Sequence, residues 1–206
     1  MRRPALLLLI AALALTPAAH ADIPNPNQST VDPCLVLCPA GDLTFHVVVR
    51  GFTGNPFAGS SVQIEYSACP GFHLCALTGG EPYTHLSLSG LEMVGVISDV
   101  QGMASFPVKA GGGCSSGAVK VYADGVLLAN RALASPDQNG DGVVSAQDVT
   151  LLQAKLGTAD PTGDLDCSGA VDGADLALLQ AHAGHACAQP TEVRPGTWGR
   201  IKTLYR

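Results

Sequence analysis

Hydrophobic and polar residues alternate along the stretch that begins at Leu43. The odd positions from Leu43 to Val49 are apolar, whereas Thr44, His46 and Arg50 occupy the opposite phase. A period of two is typical of a half-buried β-strand. Similar short apolar runs follow and none has a helical period, so the pattern predicts seven strands. The seven runs are 43–50, 62–66, 84–89, 92–98, 103–108, 118–123 and 126–132.

Turn residues separate these runs. Asp124 and Gly125 lie between the last two, and this dipeptide suits a two-residue hairpin because both positions tolerate a positive φ. No segment of helix length separates the strands, which argues against a parallel sheet. The sequence therefore predicts a mainly β protein with an antiparallel β-sandwich over residues 43–134, behind an irregular lead-in at residues 22–42.

Three segments of this region, 54–64, 98–106 and 119–125, are similar to bacterial immunoglobulin-like domains of the kind repeated in adhesins. The resemblance implies an immunoglobulin-like fold that serves as a spacer, an adhesive module or a carbohydrate-binding module. An aromatic sugar platform would have to come from tyrosines, because this region has no Trp. The candidates are Tyr66, Tyr83 and Tyr122, of which the first and last lie in strands and are alternatively core residues.

A repeat follows the strands. Residues 137–157 superpose on residues 164–184 at an offset of 27, with nine of 21 positions identical. The shared positions are those of a twelve-residue calcium loop with a following helix, in which oxygens come from positions 1, 3, 5, 7, 9 and 12 and Gly occupies position 6. The repeat predicts two Ca²⁺ ions. The predicted ligands are Asp137, Asn139, Asp141, the carbonyl of Val143, Ser145 and Asp148, and then Asp164, Asp166, Ser168, the carbonyl of Ala170, Asp172 and Asp175.

No helix can enter either loop, because Pro136 and Pro161 stand just before them. Each unit is thus a loop with an exit helix only. Two such units, with Asp at the last loop position, resemble the dockerin module of secreted cellulose-degrading assemblies over residues 135–188. The resemblance implies that a cohesin-type module on a scaffold or cell-surface protein is the partner, and it implies an association with extracellular polysaccharide breakdown.

In this family the partner is recognised by the residues at loop positions 10 and 11 and by exposed residues along the helix. This chain has Ala146-Gln147 and Gly173-Ala174 there, without the paired hydroxyl residues of well-known dockerins. Gln-Ala recurs at 153–154 and at 180–181, which suits a pseudo-twofold surface. Five apolar residues at helical spacing are predicted to pack the helices together: Val149, Leu152, Leu156, Leu176 and Leu179.

Residues 1–21 have the features of a secretory signal peptide, with Arg2 and Arg3, an apolar run and an Ala-His-Ala cleavage site. No later run approaches the roughly 20 apolar residues of a membrane span. We therefore expect a secreted or extracellular protein without a transmembrane segment. Without Arg2 and Arg3, nine Lys and Arg face 17 Asp and Glu, which excludes a nucleic-acid partner. The basic tail, 189–206, is either a sorting or attachment segment or a frayed terminus.

Seven cysteines in an exported chain predict disulfides, with one cysteine left over. Cys167 and Cys187 most simply pair with each other, and Cys69 and Cys75 are close enough in sequence for a local bridge. The sequence does not decide how the remaining three pair. These are Cys34, Cys38 and Cys114.

Candidate chemistry outside the loops is sparse. His182, His185 and Cys187 resemble a metal cluster, but a disulfide partner for Cys187 favours histidines at a helix C-terminus instead. No Gly-x-Ser-x-Gly motif and no marked glycosidase carboxylate pair is present, so we expect no catalysis. The sequence thus predicts a secreted or surface calcium-binding adaptor. The alternatives are a polysaccharide-binding or polysaccharide-hydrolysing protein acting through the sandwich, and a structural surface protein in which calcium only adds stability.

Overall fold

The computed structural model describes residues 23–188, and this part of the chain is mainly β, as predicted. The predicted signal peptide, 1–21, and basic tail, 189–206, lie outside the described residues. The elements are β1 Thr30–Val31, β2 Leu35–Val36, β3 Phe45–Val48, β4 Ser61–Glu65, β5 His73–Leu74, β6 Thr84–Leu88, β7 Leu91–Ile97, β8 Met103–Phe106, β9 Ala110–Gly111, β10 Cys114–Ala123, β11 Val126–Ala134, α1 Ala146–Gln153 and α2 Gly173–Ala181.

Each of the seven predicted runs overlaps a strand. Asp124 and Gly125 join β10 to β11 with φ of 45° and 81°, as the hairpin turn requires. The lead-in was expected to be irregular, but it contains β1 and β2, and β2 pairs in parallel with β11 through Leu35 and Val36. Only two residues of each strand take part in this parallel pairing. The long segment between β2 and β11 brings the chain back, so that the two strands run in the same direction.

The strands form a six-stranded sheet in the order β2-β11-β10-β4-β7-β6, a three-stranded sheet β1-β3-β8 and a two-stranded sheet β5-β9. Side chains from the two larger sheets share one hydrophobic core. The rings of Phe45 on β3 and Phe106 on β8 stack with centroids 4.9 Å apart, and Val62 and Val121 of the larger sheet are fully buried. Each such side chain stabilises the fold by about 1.5–3 kcal/mol relative to exposure.

The helices α1 and α2 lie over a second hydrophobic cluster. Leu152 and Leu179 are fully buried in it, and Val149 and Leu176 pack against it, as predicted. The expectation for Leu156 is wrong, since this side chain is 41% exposed. The reason is that α1 ends at Gln153, so the helical spacing that would have turned Leu156 inward no longer applies.

Residues outside the repeat complete this second cluster. Cys38 of the lead-in and Ala134 at the end of β11 are fully buried in it, and Val36 and Leu43 pack against it. The loop-and-helix region therefore shares its core with the segment that precedes β3.

The disulfides connect the same regions. They join Cys34 to Cys167, Cys69 to Cys114 and Cys75 to Cys187. The four cysteines predicted to be bonded are bonded, but the predicted pairs Cys167–Cys187 and Cys69–Cys75 are wrong. The fold instead brings partners 45 to 133 residues apart to Cα separations of 5.3–5.8 Å, which suit a disulfide.

Three disulfides are compatible with an extracellular protein. Over residues 23–188, no helix has the length and apolar character needed to cross a bilayer.

Candidate metal centre

The first residue of each predicted loop is a buried aspartate fixed by its own loop. Gly142 donates its N–H to Oδ2 of Asp137 at 2.8 Å, and Gly169 donates to Oδ2 of Asp164 at the same distance. Both glycines have a positive φ, 87° and 91°, which a side chain would strain. This is the position-6 glycine of the repeat, and it bends each loop back onto the first aspartate.

The last residue of each loop is an aspartate with no exposed surface, Asp148 or Asp175. Its Oδ2 accepts the N–H of Ser145 at 2.7 Å or of Asp172 at 2.8 Å, and its Oδ1 accepts the N–H of the second loop residue at 2.8 or 2.6 Å. Ser145 and Asp172 are also the N-caps of α1 and α2. Each loop therefore closes on the first turn of its exit helix, where the helix dipole favours negative charge.

The two units are joined at the centre of their loops. Val144 exchanges two backbone hydrogen bonds of 2.8 Å with Gly184 and His185, and Val171 exchanges bonds of 2.8 and 2.9 Å with residues 157–158. The two sets of residues are related by the same offset of 27 as the loops. Each loop is thus bound to the chain that leaves the other unit's helix, so the two units form a pseudo-twofold pair.

The buried carboxylates have no cationic partner. Within residues 23–188, no salt bridge joins Asp137, Asp148, Asp164 or Asp175 to a Lys, Arg or His. Burial raises the pKa of Asp137 above its usual value, the charges of nearby aspartates add to this rise, and backbone N–H donors oppose it. A bound cation is what would favour the ionised form of such a cluster.

The predicted ligands of the second loop come together in part. Asp164, Asp166 and Asp175 each place a carboxylate oxygen within 4.8 Å of the others. Asp172 instead accepts the N–H of Ala174 at 2.7 Å and caps α2. The Ser168 hydroxyl lies 3.1 Å from the carbonyl of Ala170, so these two predicted ligands are adjacent.

In the first loop, Asn139 at position 3 is neutral. Its amide group donates to Oδ2 of Asp141 at 2.9 Å, and its Oδ1 accepts the N–H of Asp141 at 3.0 Å. Ser145 caps α1, and Val143, whose carbonyl is the predicted ligand at position 7, is exposed. All predicted donors in both loops are oxygens, and hard oxygen donors from carboxylates, amides and carbonyls suit Ca²⁺ rather than a transition metal.

Sequence reasoning missed the glycines on which the first loop rests. Gly112 donates its N–H to the carbonyl of Asp137 at 2.7 Å, and a Cβ on Gly111 would lie 1.8 Å from Oδ2 of Asp137. Only glycine allows the loop to approach β9 this closely. The signal in the sequence is the run of three glycines at 111–113.

Two other hypotheses from the sequence, on the tyrosines and on the histidines near Cys187, can be compared with the structure. Tyr66 and Tyr83 are only 7% and 6% exposed, so they are core residues and do not form a sugar platform. Cys187 is held in its disulfide with Cys75, and His182 is the C-cap of α2, where a helix C-terminus was expected.

Comparison of the chain with protein-family models, with curated proteins and with solved structures finds no match in any of the three.

Proposed function

We propose that this protein is a secreted calcium-binding adaptor or surface protein whose residues 135–188 form a dockerin-like module. The module docks onto a cohesin-type partner and carries an immunoglobulin-like β-sandwich formed by residues 43–134. The observation that carries the proposal is the pair of loops at an offset of 27, in which buried carboxylates without a cationic partner are held by the same backbone hydrogen bonds.

Two Ca²⁺ ions would be held by the twelve predicted ligands of the loops. Calcium would supply positive charge to the buried carboxylates, and no acid–base or redox chemistry is needed for this role. Because position 12 of each loop also lies in the first turn of α1 or α2, an ion bound to Asp148 or Asp175 would connect each loop to the start of its exit helix. Calcium would thereby fix the surface that the partner recognises.

The exposed faces of the two helices are the proposed docking surface. Ala146 and Gln147 at the start of α1 are exposed, as are their equivalents Gly173 and Ala174 on α2. Leu151 is 37% exposed. None of these residues carries a charge, and all except Gln147 are small or apolar, which suits the core of a protein interface. The pseudo-twofold relation of the units would let the partner bind in either orientation.

Docking is tested with the full chain, because disulfides join the module to the rest of the protein. The chain is passed over a panel of immobilised cohesin modules in calcium and in EDTA. We expect calcium-dependent capture that is lost in the Leu151→Arg and Ala174→Arg double variant, since two charges would be desolvated in the interface. Leu88→Arg is the matched control, because Leu88 is 62% exposed on β6, away from the helices.

The other outcomes of this experiment separate the remaining functions. Calcium binding without capture by any cohesin would leave a structural surface protein in which calcium adds stability alone. Specific binding of the full chain on a glycan array, unaffected by the arginine substitutions on the helices, would favour the polysaccharide-binding alternative and overturn the adaptor.

A further inference from the structure

A second cluster of metal-ligating side chains lies outside the calcium loops, where the lead-in meets the end of α2. Cys38 and Asp42 of the lead-in face His182 and His185, about 140 residues further along the chain, and one ligand atom from each lies within 4.8 Å of the others. Cys187, which the sequence had suggested as the sulfur ligand, is used in a disulfide. Cys38 is the free cysteine of the described residues, and it takes that place.

The four ligand atoms converge on one point. Nδ1 of His182 and Nδ1 of His185 are 3.3 Å apart, and they lie 3.0 and 3.3 Å from Oδ2 of Asp42. Sγ of Cys38 is 3.5 Å from Nδ1 of His185. Both imidazoles therefore direct the same ring nitrogen toward the same carboxylate oxygen.

Three of these four separations match the edges of a tetrahedron around a zinc ion, and the fourth, between Nδ1 of His182 and Oδ2 of Asp42, is shorter at 3.0 Å. Zinc binds imidazole nitrogen and carboxylate oxygen at about 2.0–2.2 Å and thiolate sulfur at about 2.3 Å, which places tetrahedral ligands about 3.3–3.6 Å apart. The observed nitrogen–nitrogen and sulfur–nitrogen distances, 3.3 and 3.5 Å, agree with this geometry. We propose that Cys38, Asp42, His182 and His185 form a structural zinc site.

Hydrogen bonding alone accounts poorly for this arrangement. If both histidines donate from Nδ1 to Asp42, the two N–H groups are directed at one carboxylate oxygen with their nitrogens 3.3 Å apart, and the Cys38 thiol is hydrogen-bonded to the same carboxylate. If one of them accepts instead, it loses its bond to the carboxylate, which has no proton to give when ionised. One divalent cation satisfies all four lone pairs at once.

The backbone holds the ligands in place before any ion binds. The carbonyl of Cys38 accepts the N–H of Gly41 at 2.9 Å, which closes the turn between Cys38 and Asp42. The carbonyl of His185 accepts the N–H of Val144 at 2.8 Å, and the disulfide at Cys187 lies two residues further on. These bonds fix the backbone from which Cys38, Asp42 and His185 extend.

The donor set selects the metal. One sulfur, two imidazoles and one carboxylate are typical of zinc, whereas calcium takes oxygens. Four protein ligands fill a tetrahedral zinc site and leave no position for a substrate, so the site is structural. Cys38 is fully buried, but the side chains of Asp42 and His185 are 41% and 34% exposed, which gives the ion a way in.

Zinc binding would replace the proton of the Cys38 thiol. The S–H bond breaks, its proton passes to solvent, and the thiolate sulfur binds the ion, while the two histidines remain neutral. The bound thiolate is then protected from oxidation and from exchange with the three disulfides. The site would also join the lead-in to the end of α2, parallel to the Cys34–Cys167 and Cys75–Cys187 bonds.

The test uses the full chain in excess calcium, which keeps the oxygen loops occupied. Zinc is titrated by calorimetry, and Co²⁺ replaces it for spectroscopy. We expect one zinc per chain and a tetrahedral cobalt spectrum with a thiolate charge-transfer band. Cys38→Ser should abolish that band, and Asp42→Asn, which removes a direct ligand, should weaken zinc binding by at least the roughly 10- to 100-fold that loss of an outer-shell partner costs. His73→Ala, an exposed histidine on β5, should change neither.

Asp42→Asn is the variant expected to keep the fold, because Asp42 is exposed and its replacement leaves the buried thiol in place. The cobalt spectrum of the unaltered chain needs no variant at all. A spectrum without a thiolate band, zinc binding that Cys38→Ser leaves unchanged, or no zinc binding in excess calcium would each overturn the proposal.

Discussion

The two loop-and-helix units, 137–157 and 164–184, are nearly the same in their local structure and differ in how they are attached to the rest of the protein. In both, the first aspartate accepts the N–H of the position-6 glycine at 2.8 Å, and the last one closes on the helix N-cap. These bonds connect residues within one loop, so the same sequence pattern produces them twice.

The attachments are not repeated. Cys167 in the second loop bonds Cys34, whereas its equivalent in the first loop is Gly140. His182 at the end of α2 faces Asp42, whereas its equivalent Lys155 forms an ion pair of 3.6 Å with Asp160, in the segment between the two units. The second unit is fixed covalently to the lead-in, while the first rests against β9.

The difference separates two sources of stability. The oxygen ligands are common to both units, so withdrawal of calcium should affect both. The Cys34–Cys167 disulfide and the Gly111 contact belong to one unit each, so their loss should affect the units unequally.

Calcium removal is the change that acts on both units, and we expect it to have the largest effect. Saturation at 100 times the dissociation constant stabilises a protein by about 2.7 kcal/mol per site, or about 5 kcal/mol for two independent sites. EDTA should therefore lower the melting temperature of the full chain, and added Ca²⁺ should restore it. Identical melting curves with calcium and with EDTA would contradict the calcium assignment.

Loss of the Cys34–Cys167 disulfide should weaken the second unit alone. The bond closes a loop of 133 residues, and removal of a native disulfide typically costs about 2–4 kcal/mol of unfolding free energy. We expect Cys34→Ser with Cys167→Ser to lower stability by this amount and to weaken calcium binding at the second loop, measured by calorimetry in an Asp137→Ala background.

The matched control is Cys69→Ser with Cys114→Ser, which removes a disulfide between residues of the β region. It should lower stability without a change in calcium affinity. Equal weakening of calcium binding in both double variants would show that the second unit does not depend on its own disulfide.

Gly111→Ala should weaken the first unit. The added Cβ would lie 1.8 Å from Oδ2 of Asp137, so β9 or the loop has to move, and such overpacking costs about 1–3 kcal/mol. Calcium affinity of the first loop, measured in an Asp164→Ala background, should fall with it. Gly173→Ala is the control, because a Cβ there meets nothing within 4 Å. An equal effect of the two substitutions would contradict the claim that the first loop depends on close contact with Gly111.

How much the sequence could predict depends on how far apart along the chain the interacting residues lie. The seven longer strands and the Asp124-Gly125 hairpin are set by neighbouring residues, and the sequence predicted them, whereas it missed the two-residue strands β1, β2, β5 and β9. The disulfide partners of Cys167 and Cys187, and the approach of Cys38 to the two histidines, depend on contacts over more than 100 residues. No local pattern contains such contacts, and sequence proximity therefore suggested the wrong cysteine pairs.

The smallest expected difference is the one between the two loops themselves. By composition the second loop has four acidic ligands and the first has three, since Asn139 is neutral. The capping role of Asp172 leaves three carboxylates near one another in the second loop. A charge count alone then no longer separates the loops.

The residual difference lies in the first aspartate of each loop. The Asp137 carboxylate accepts three backbone N–H groups, from Gly140, Asp141 and Gly142, whereas the Asp164 carboxylate accepts two. The negative charge of Asp164 is therefore less compensated by hydrogen bonds, and it attracts a bound cation more strongly. We expect Asp164→Ala to reduce overall calcium affinity more than Asp137→Ala, by about three- to fivefold in a calorimetric titration. The reverse order would refute this electrostatic argument and leave the two-site assignment standing, because both substitutions would still remove one site each.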